Sequence, residues 1–574
     1  MRDDSLQARL QARLESVPGS RALTSYAPDG TFRWTEFGDL HRRARGVAAV
    51  LHERGLREGD VGLIVLPSAE LSAVTTLAML LTGAVPLQVA PPVVAGSLLD
   101  LPRILDRTAR ETQARLIVCA DTMTAMRDKL QAGLPATKLL FGLEEPPAGT
   151  TLPPFEPVLP STGDVAAMQL TSGTTGFPRI CVWEQRAVLA ALDGMADAMR
   201  LATDDVCLNW TPLYHDMGLV NNFLLCLTAE VPLVMIGPEE FVKRPAVWAR
   251  GLSDTGATVT WSPNFGFALA ARRVSDHELE DVRLEHVHAL WNAAERIHHG
   301  TVLEFVERYR DHGLSPDAVR TNFGCAENVG GATFSDPRGP FPVEHVDGDA
   351  LLEERIARPA DDRRDARTTS VVGVGRPNRD IEIRILSEDG ESLADGRVGE
   401  IAFRTPSRMR GYLSDETATG HVIQGEWLLS GDLGYLRGGD LFWVGRSQER
   451  ITVRGKKLDP SDFEPILFDV EGLREGCFTA FGVDEGESGT QRVVVVSEVR
   501  EPLQRDPERI ATELKKQTFL RLGVQISEVL LVRPQTLAKT SSGKRRHRHF
   551  RRLYVEGGLQ PYLVESRSAS SDDR

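Results

Sequence analysis

Residues 61–89 read VGLIVLPSAELSAVTTLAMLLTGAVPLQV, and their reading decides the fold class. Val61–Leu66 is a short apolar run that suits a buried strand, and Val85–Val89 is a second one. The intervening segment reads as a buried helix ending at Gly83. Glu70 stands just before the most apolar stretch, Leu71–Val89, and Thr, Gly and Pro interrupt it, so it reads as helix plus strand rather than a membrane span. Working outward, an amphipathic helix covers Phe37–Arg54, and from Thr31 to Pro92 strands and helices alternate. The alternation returns at Ala114–Ala120, Ala166–Leu170, Val206–Trp210, Val231–Met235 and Thr258–Trp261. Parallel sheets covered by helices on both faces are expected, with ligands bound at the carboxyl ends of the strands.

After Thr369 the texture changes to closely spaced strands with turn signals: Asp380–Ile385, a Glu388–Gly390 turn, Gly399–Arg404 and Asp440–Gly445. A shorter unit follows, with helices near Ser461–Val470 and Asp506–Leu522 and strands at Arg492–Val499 and Ser527–Val532. The expected fold class is therefore α/β, α+β overall. A large N-terminal domain, residues 1–445, carries two parallel-type sheets plus a β-rich subdomain; a small C-terminal α+β domain spans 446–566; the Ser/Asp/Arg-rich residues 567–574 form a disordered tail.

The 574 residues carry a net charge of -14 with 41% hydrophobic residues, too many for one core and too apolar for a disordered chain. An acidic balance of this size disfavours nucleic acid and anionic membrane as partners, so any phosphate must be met by local groups. The six cysteines lie far apart with no metal-ligand spacing, which speaks against a zinc site or a disulfide framework and for a reducing cytoplasm. Met1–Ser16 has an amphipathic helical pattern and lacks the continuous apolar core of a signal peptide.

The strongest motif is Leu170-Thr171-Ser172-Gly173-Thr174-Thr175-Gly176-Phe177-Pro178-Arg179, a hydroxyl- and glycine-rich loop after a buried strand. Glycines permit the backbone turns that let consecutive N–H groups converge on an anion, and the Ser and Thr hydroxyls add donors. The spacing is not that of a Walker loop, and by itself the segment is compatible with a phosphate cradle or an ordinary turn.

Further segments recur in a definite order, and together they resemble the superfamily of acyl-CoA synthetases, adenylation domains and luciferases, closest to its fatty acyl-AMP ligase branch. They are Trp210-Thr-Pro-Leu-Tyr-His215-Asp-Met-Gly-Leu219, Asn292-Ala-Ala-Glu295, Phe323-Gly-Cys-Ala-Glu327, Gly399-Glu400, Gly411-Tyr412, Ser430-Gly-Asp432-Leu-Gly-Tyr435, Gly445-Arg446 and Lys539-Thr-Ser-Ser-Gly-Lys544. The resemblance implies an ATP- and Mg²⁺-dependent ligase that makes an acyl-AMP and passes the acyl group on. It places the nucleotide against Thr171, Ser172, Gly173, Thr174, Thr175, Gly176, Arg179, Asn292, Ala294, Glu295, Phe323, Gly324, Glu327, Asp432 and Arg446. Phe323 packs on adenine; Asp432, short and anionic, suits both ribose hydroxyls; Glu327 and Thr171 offer hard oxygens to the metal. Lys544, His215 and Arg446 are the expected catalytic residues, with Lys544 on a mobile small domain whose hinge lies at Arg446–Gln448. The acid lies near His215, Asn221, Asn222 and Asn264.

Departures from the pattern narrow the reading. Arg179 stands where lysine is usual, Ile180 replaces a glycine, Gln185 a histidine and Ala538 a proline. Asn221-Asn222 stands where glycines beside an acyl tunnel are usual, and two carboxamides would narrow it and demand hydrogen-bond partners, which favours a short or polar acid. The charged stretch Pro337–Thr369 resembles the branch-specific insertion that restricts domain motion. The expected acceptor is a phosphopantetheine thiol on an acyl carrier protein, with free CoA second. Activation of nitrite for attack by an amine, and adenylate binding without turnover, are the alternatives; the oligomeric state is not readable.

Overall fold

The computed structural model describes residues 5–563 apart from 92–100, 135–136, 146–157, 159, 162, 172–177, 361–367, 447–450, 454–455, 485–490, 501–505, 540–544 and 561–562. Two large sheets organise the first part of the chain. One has the strand order Gly411–Tyr412, Ile180–Glu184, Val165–Leu170, Val85–Gln88, Val61–Val65, Leu116–Cys119, Lys138–Phe141. Its members from Val165–Leu170 to Lys138–Phe141 pair in parallel, whereas Ile180–Glu184 pairs antiparallel on both sides. The other runs Arg376–Pro377, Gly330–Phe334, Val319–Cys325, Ala289–Ala293, Val259–Pro263, Cys207–Asn209, Leu233–Met235, Arg21–Ser25, Thr35–Glu36, parallel in the middle and antiparallel at both ends.

Period-two alternation tells each strand which core it feeds. Ile64 points into a cluster shared with Trp261 and Trp291 of the other sheet, while its neighbours Leu63 and Val65 point to the opposite face, against Leu101 and Leu105. The helices Phe37–Glu53, Ala69–Leu81 and Gln185–Met199 contribute to that shared cluster and lie between the sheets. This explains why Ala69–Leu81 is apolar almost all round: every residue from Ser72 to Leu81 is buried. Its few hydroxyls are satisfied internally, Ser72 Oγ donating to Gln88 Oε1 at 2.8 Å and Gln88 Nε2 donating to Thr76 Oγ1 at 2.7 Å.

A third, antiparallel sheet is built from Glu382–Leu386, Gly399–Arg404, Trp427–Arg437, Ile423–Gln424 and Asp440–Arg446. The small C-terminal part has a sheet of Leu473–Asp484, Gln491–Val499 and Ile526–Val532, with Pro507–Leu522 on one face and His547–Val555 on the other. The α/β class with a large multi-sheet part and a smaller α+β part agrees with the sequence reading. Ile451 and Leu458 pack into the small part's core, and Asp440–Arg446 pairs with the large part. The expected hinge residues Ser447 and Gln448, and the tail 567–574, lie outside the described residues.

Three local differences have physical causes. Ser430–Gly434, whose composition suggests a turn, lies inside the strand Trp427–Arg437; Gly431 takes φ +72 and the register shifts there, so the turn signal marks a bulge. Arg21–Ser25 joins the second sheet without a sequence signal. Gln185 is fully buried, and its Oε1 accepts from Leu6 N at 3.0 Å, holding the N-terminal helix Leu6–Ser16. Its substitution for histidine is thus a matter of packing the amino terminus.

Candidate active site

The hairpin Val165–Leu170/Ile180–Glu184 carries the hydroxyl-rich loop, and its neck is pinned by Thr171 N donating to Arg179 O at 2.8 Å and Arg179 N donating to Thr171 Oγ1 at 3.0 Å. Ser172, Gly173, Thr174, Thr175 and Gly176 lie outside the described residues. The Arg179 guanidinium sits 5.2 Å from the Tyr412 ring centre and 3.4 Å from Asp415 Oδ2. Tyr412 in turn donates its hydroxyl to Glu327 Oε1 at 2.6 Å. Burial, then the Glu327 charge, pushes the Tyr412 phenol far above its ordinary range, so it stays a donor.

Glu327 is fixed from two more directions. Its carbonyl accepts from Met409 N at 2.8 Å, and the preceding carbonyl, of Ala326, accepts from Trp183 Nε1 at 2.7 Å. Phe323, on Val319–Cys325, lies 5.9 Å from Phe403 and 6.1 Å from Trp443 between ring centres. Asp432, 5% exposed, stands directly opposite Arg446 across the strand pair, with Arg446 Nε 3.4 Å from Asp432 Oδ1.

On the other side, His215 caps the short helix Asp216–Gly218, and its Nδ1 lies 2.6 Å from Asp216 Oδ1. A π-helical turn, Leu219–Leu224, follows and aims Asn221 at Gly330. A Cβ at Gly330 would come within 2.4 Å of Asn221 Oδ1, so the carboxamide fills the space that this glycine leaves. Asn221 is 4% exposed, and its Oδ1 has no hydrogen-bond partner among the described residues.

These groups surround one cavity of about 530 Å³. Thr171, Arg179, His215, Asn221, Ala294, Glu295, Phe323, Gly324, Glu327, Asp432 and Arg446 line it. Asn222, Asn264 and Asn292 do not. Asn222 Nδ2 donates to Met217 O at 2.8 Å, and Asn264 Oδ1 accepts from Asn292 Nδ2 at 3.2 Å and from His298 N at 3.3 Å. They support the wall from behind. Ala294 takes φ +69, a strained conformation for a residue with a Cβ. Beside it Glu295 Oε1 accepts from Phe265 N at 2.5 Å; burial, with the Glu464 charge adding to it, raises this carboxyl above its usual range. Trp443, His421 and Arg548 also line the cavity, none of them signalled by the sequence motifs, and Lys544 lies outside the described residues.

The donor set suits Mg²⁺ carried on a nucleotide. Among the described residues no group of three or more His, Cys, Asp or Glu could hold a metal alone. Glu327 lines the cavity and offers a hard oxygen of the kind that fits an ion taking its other ligands from phosphates and water. No helix among the described residues is long and apolar enough to cross a membrane.

Comparison with known proteins agrees with this geometry. Residues 10–413 match the AMP-binding enzyme family. The long-chain-fatty-acid–AMP ligase FadD26 of Mycobacterium marinum is 27% identical over 581 residues, covering 94% of this chain and 96% of its own. A solved structure from a study of fatty acyl-adenylate ligases of E. coli and L. pneumophila superposes with a TM-score of 0.86 at 25% identity, over 97% of this chain and 98% of the other. McyG A-PCP, solved with phenylalanyl-adenylate, shares the fold with a TM-score of 0.84 at 21% identity, over 97% of this chain and 96% of that one. The cavity lined by Glu327 and Asp432 and a family match over most of the chain lead to one assignment: the chain belongs to the AMP-binding enzyme family, as an adenylate-forming ligase.

Proposed function

We propose that this ligase activates a short or polar carboxylic acid with Mg-ATP and passes the acyl group to the phosphopantetheine thiol of a carrier protein. An acid oxygen attacks the α-phosphorus, the bond to the β-phosphate bridging oxygen breaks, and pyrophosphate leaves. The thiol sulfur then attacks the acyl carbon, AMP departs, and the thiol proton goes to solvent. Asp432 grips the ribose, Phe323 packs on adenine, and Arg446 with Lys544 meets the charge that develops on phosphate. Glu327 would hold the Mg²⁺ that arrives with ATP, and the ion would supply charge neutralisation to the phosphates. With positioning and charge supplied this way, no protein nucleophile is needed.

The observation that carries the acid class is Asn221, which lines the cavity and whose Oδ1 has no hydrogen-bond partner among the described residues. An alkyl chain laid against it leaves it unpaired at a cost of about 1–3 kcal/mol, whereas a polar acid satisfies it. The test is pyrophosphate release over a panel of acetate, lactate, pyruvate, benzoate, octanoate, dodecanoate and nitrite. Small or polar acids are expected to give the highest kcat/KM. A saturable response confined to dodecanoate would overturn the acid class, and a response to nitrite with an arylamine, and to no carboxylate, would replace it with amine nitrosation. Asn221→Gly is expected to move preference toward longer chains, by about fourfold in kcat/KM for each further methylene buried, at about 0.8 kcal/mol apiece. Intact-mass detection of an acylated carrier, against acyl-CoA formation, decides the acceptor.

A further inference from the structure

The segment after the cavity-lining Glu295 does not end at the cavity. Arg296 Nη1 reaches Asp462 Oδ1 at 2.5 Å and Ser461 Oγ at 3.1 Å, and His298 Nε2 lies 3.0 Å from Glu464 Oε2. Asp462 and Glu464 belong to the small C-terminal part, at the start of its first helix. Glu464 is shared: Arg545 Nη1 donates to its Oε2 at 3.2 Å, and Arg545 Nη2 bonds to its Oε1. Arg545 also stacks on Phe478, 4.1 Å from the ring centre. Three residues on, Arg548 lines the nucleotide cavity from the small part.

These side chains are well sequestered, with exposures of 12% for Arg296 and Asp462, 19% for His298, 11% for Glu464 and 15% for Arg545. Although burial works against the ionised form, the Arg545 charge and the His298 contact hold the Glu464 carboxyl well below its usual range. The desolvation cost of buried ion pairs largely cancels their attraction, so the cluster adds little net stability. Breaking it is another matter, because an unpartnered buried charge is expensive. Such a cluster therefore selects one arrangement of two bodies over others.

We propose that Arg296–Asp462 and His298–Glu464–Arg545 are positioning contacts that hold the small part with Arg548 over the nucleotide, and that they serve adenylate formation selectively over acyl transfer. The inference needs only the adenylate-forming chemistry; it does not depend on which acid or acceptor is used.

The two half-reactions separate it from a merely structural role. Pyrophosphate release is measured with whichever acid of the panel the wild-type enzyme turns over fastest. Acyl transfer is measured by supplying the synthetic adenylate of that acid with pantetheine. Arg296→Ala and His298→Ala are each expected to slow pyrophosphate release about tenfold or more, as loss of a near-attack geometry does, while transfer stays within about twofold. Arg296→Lys and His298→Gln, which keep a donor in place, are expected to recover most of the loss. Unchanged pyrophosphate release in alanine variants with native melting curves, an equal fall in both half-reactions, or no recovery in the conservative variants would each overturn the proposal.

Discussion

Lys544→Ala is expected to lower pyrophosphate release by about a hundred- to a thousandfold, the scale seen when a charge that meets the transition state is removed. Mg-ATP affinity should change by only a few-fold. The separation follows from where the other charges are. Asp432, Phe323 and Glu327 lie on the large part and line the cavity on their own. Ground-state binding therefore keeps its anchors. On the role proposed for Lys544, what is lost is a compact cation at the α-phosphate as the fifth oxygen arrives, and neither Arg446, committed across the strand to Asp432, nor Arg548 would replace a flexible ammonium. Titration calorimetry with Mg-ATP and a coupled pyrophosphate assay make the comparison. Full activity in Lys544→Ala would remove this residue from the mechanism.

Asp432→Ala should show the converse pattern, a loss of nucleotide affinity first. A buried carboxylate accepting from two ribose hydroxyls contributes about 2–4 kcal/mol, so Kd for Mg-ATP should rise from about thirtyfold to several hundredfold. Arg446 adds to the loss, because the substitution leaves its guanidinium without the carboxylate opposite. Wild-type enzyme tested with 2′-deoxy-ATP and 3′-deoxy-ATP should lose roughly half of that free energy with each. Equal affinity for ATP and both deoxy analogues would show that Asp432 does not hold the ribose.

Long apolar runs were the most legible part of the sequence. Val61–Val65, Ala69–Leu81 and Val85–Gln88 lie between or within sheets, where burial on all sides leaves no ambiguity of face. Leu473–Asp484 was not legible, because Arg474, Glu475 and Gly476 interrupt its alternation and the register slips between Leu473 and Phe478. The cavity wall was legible where one short segment supplies several lining residues, as in Phe323–Glu327. Trp443, His421 and Arg548 come singly from three separate elements and leave no local pattern. Asn221 and Asn222 show a finer limit: adjacent residues of a helical turn point in different directions, so one carboxamide faces the cavity while the other bonds to Met217 O behind it.

The helix Ala69–Leu81 has a consequence for how this molecule comes apart. It and its two companions share one apolar cluster with strands of both large sheets, so neither sheet can be exposed to water without stripping the other. The two large sheets should accordingly lose their order together. The clusters around Ile466 and Phe550 contain no residue of that interior, so the C-terminal sheet and its helices should melt in a transition of their own once the contacts of Arg296 and His298 with Asp462 and Glu464 are broken. Two separately cohesive interiors thus arise from the way apolar residues are apportioned along the chain.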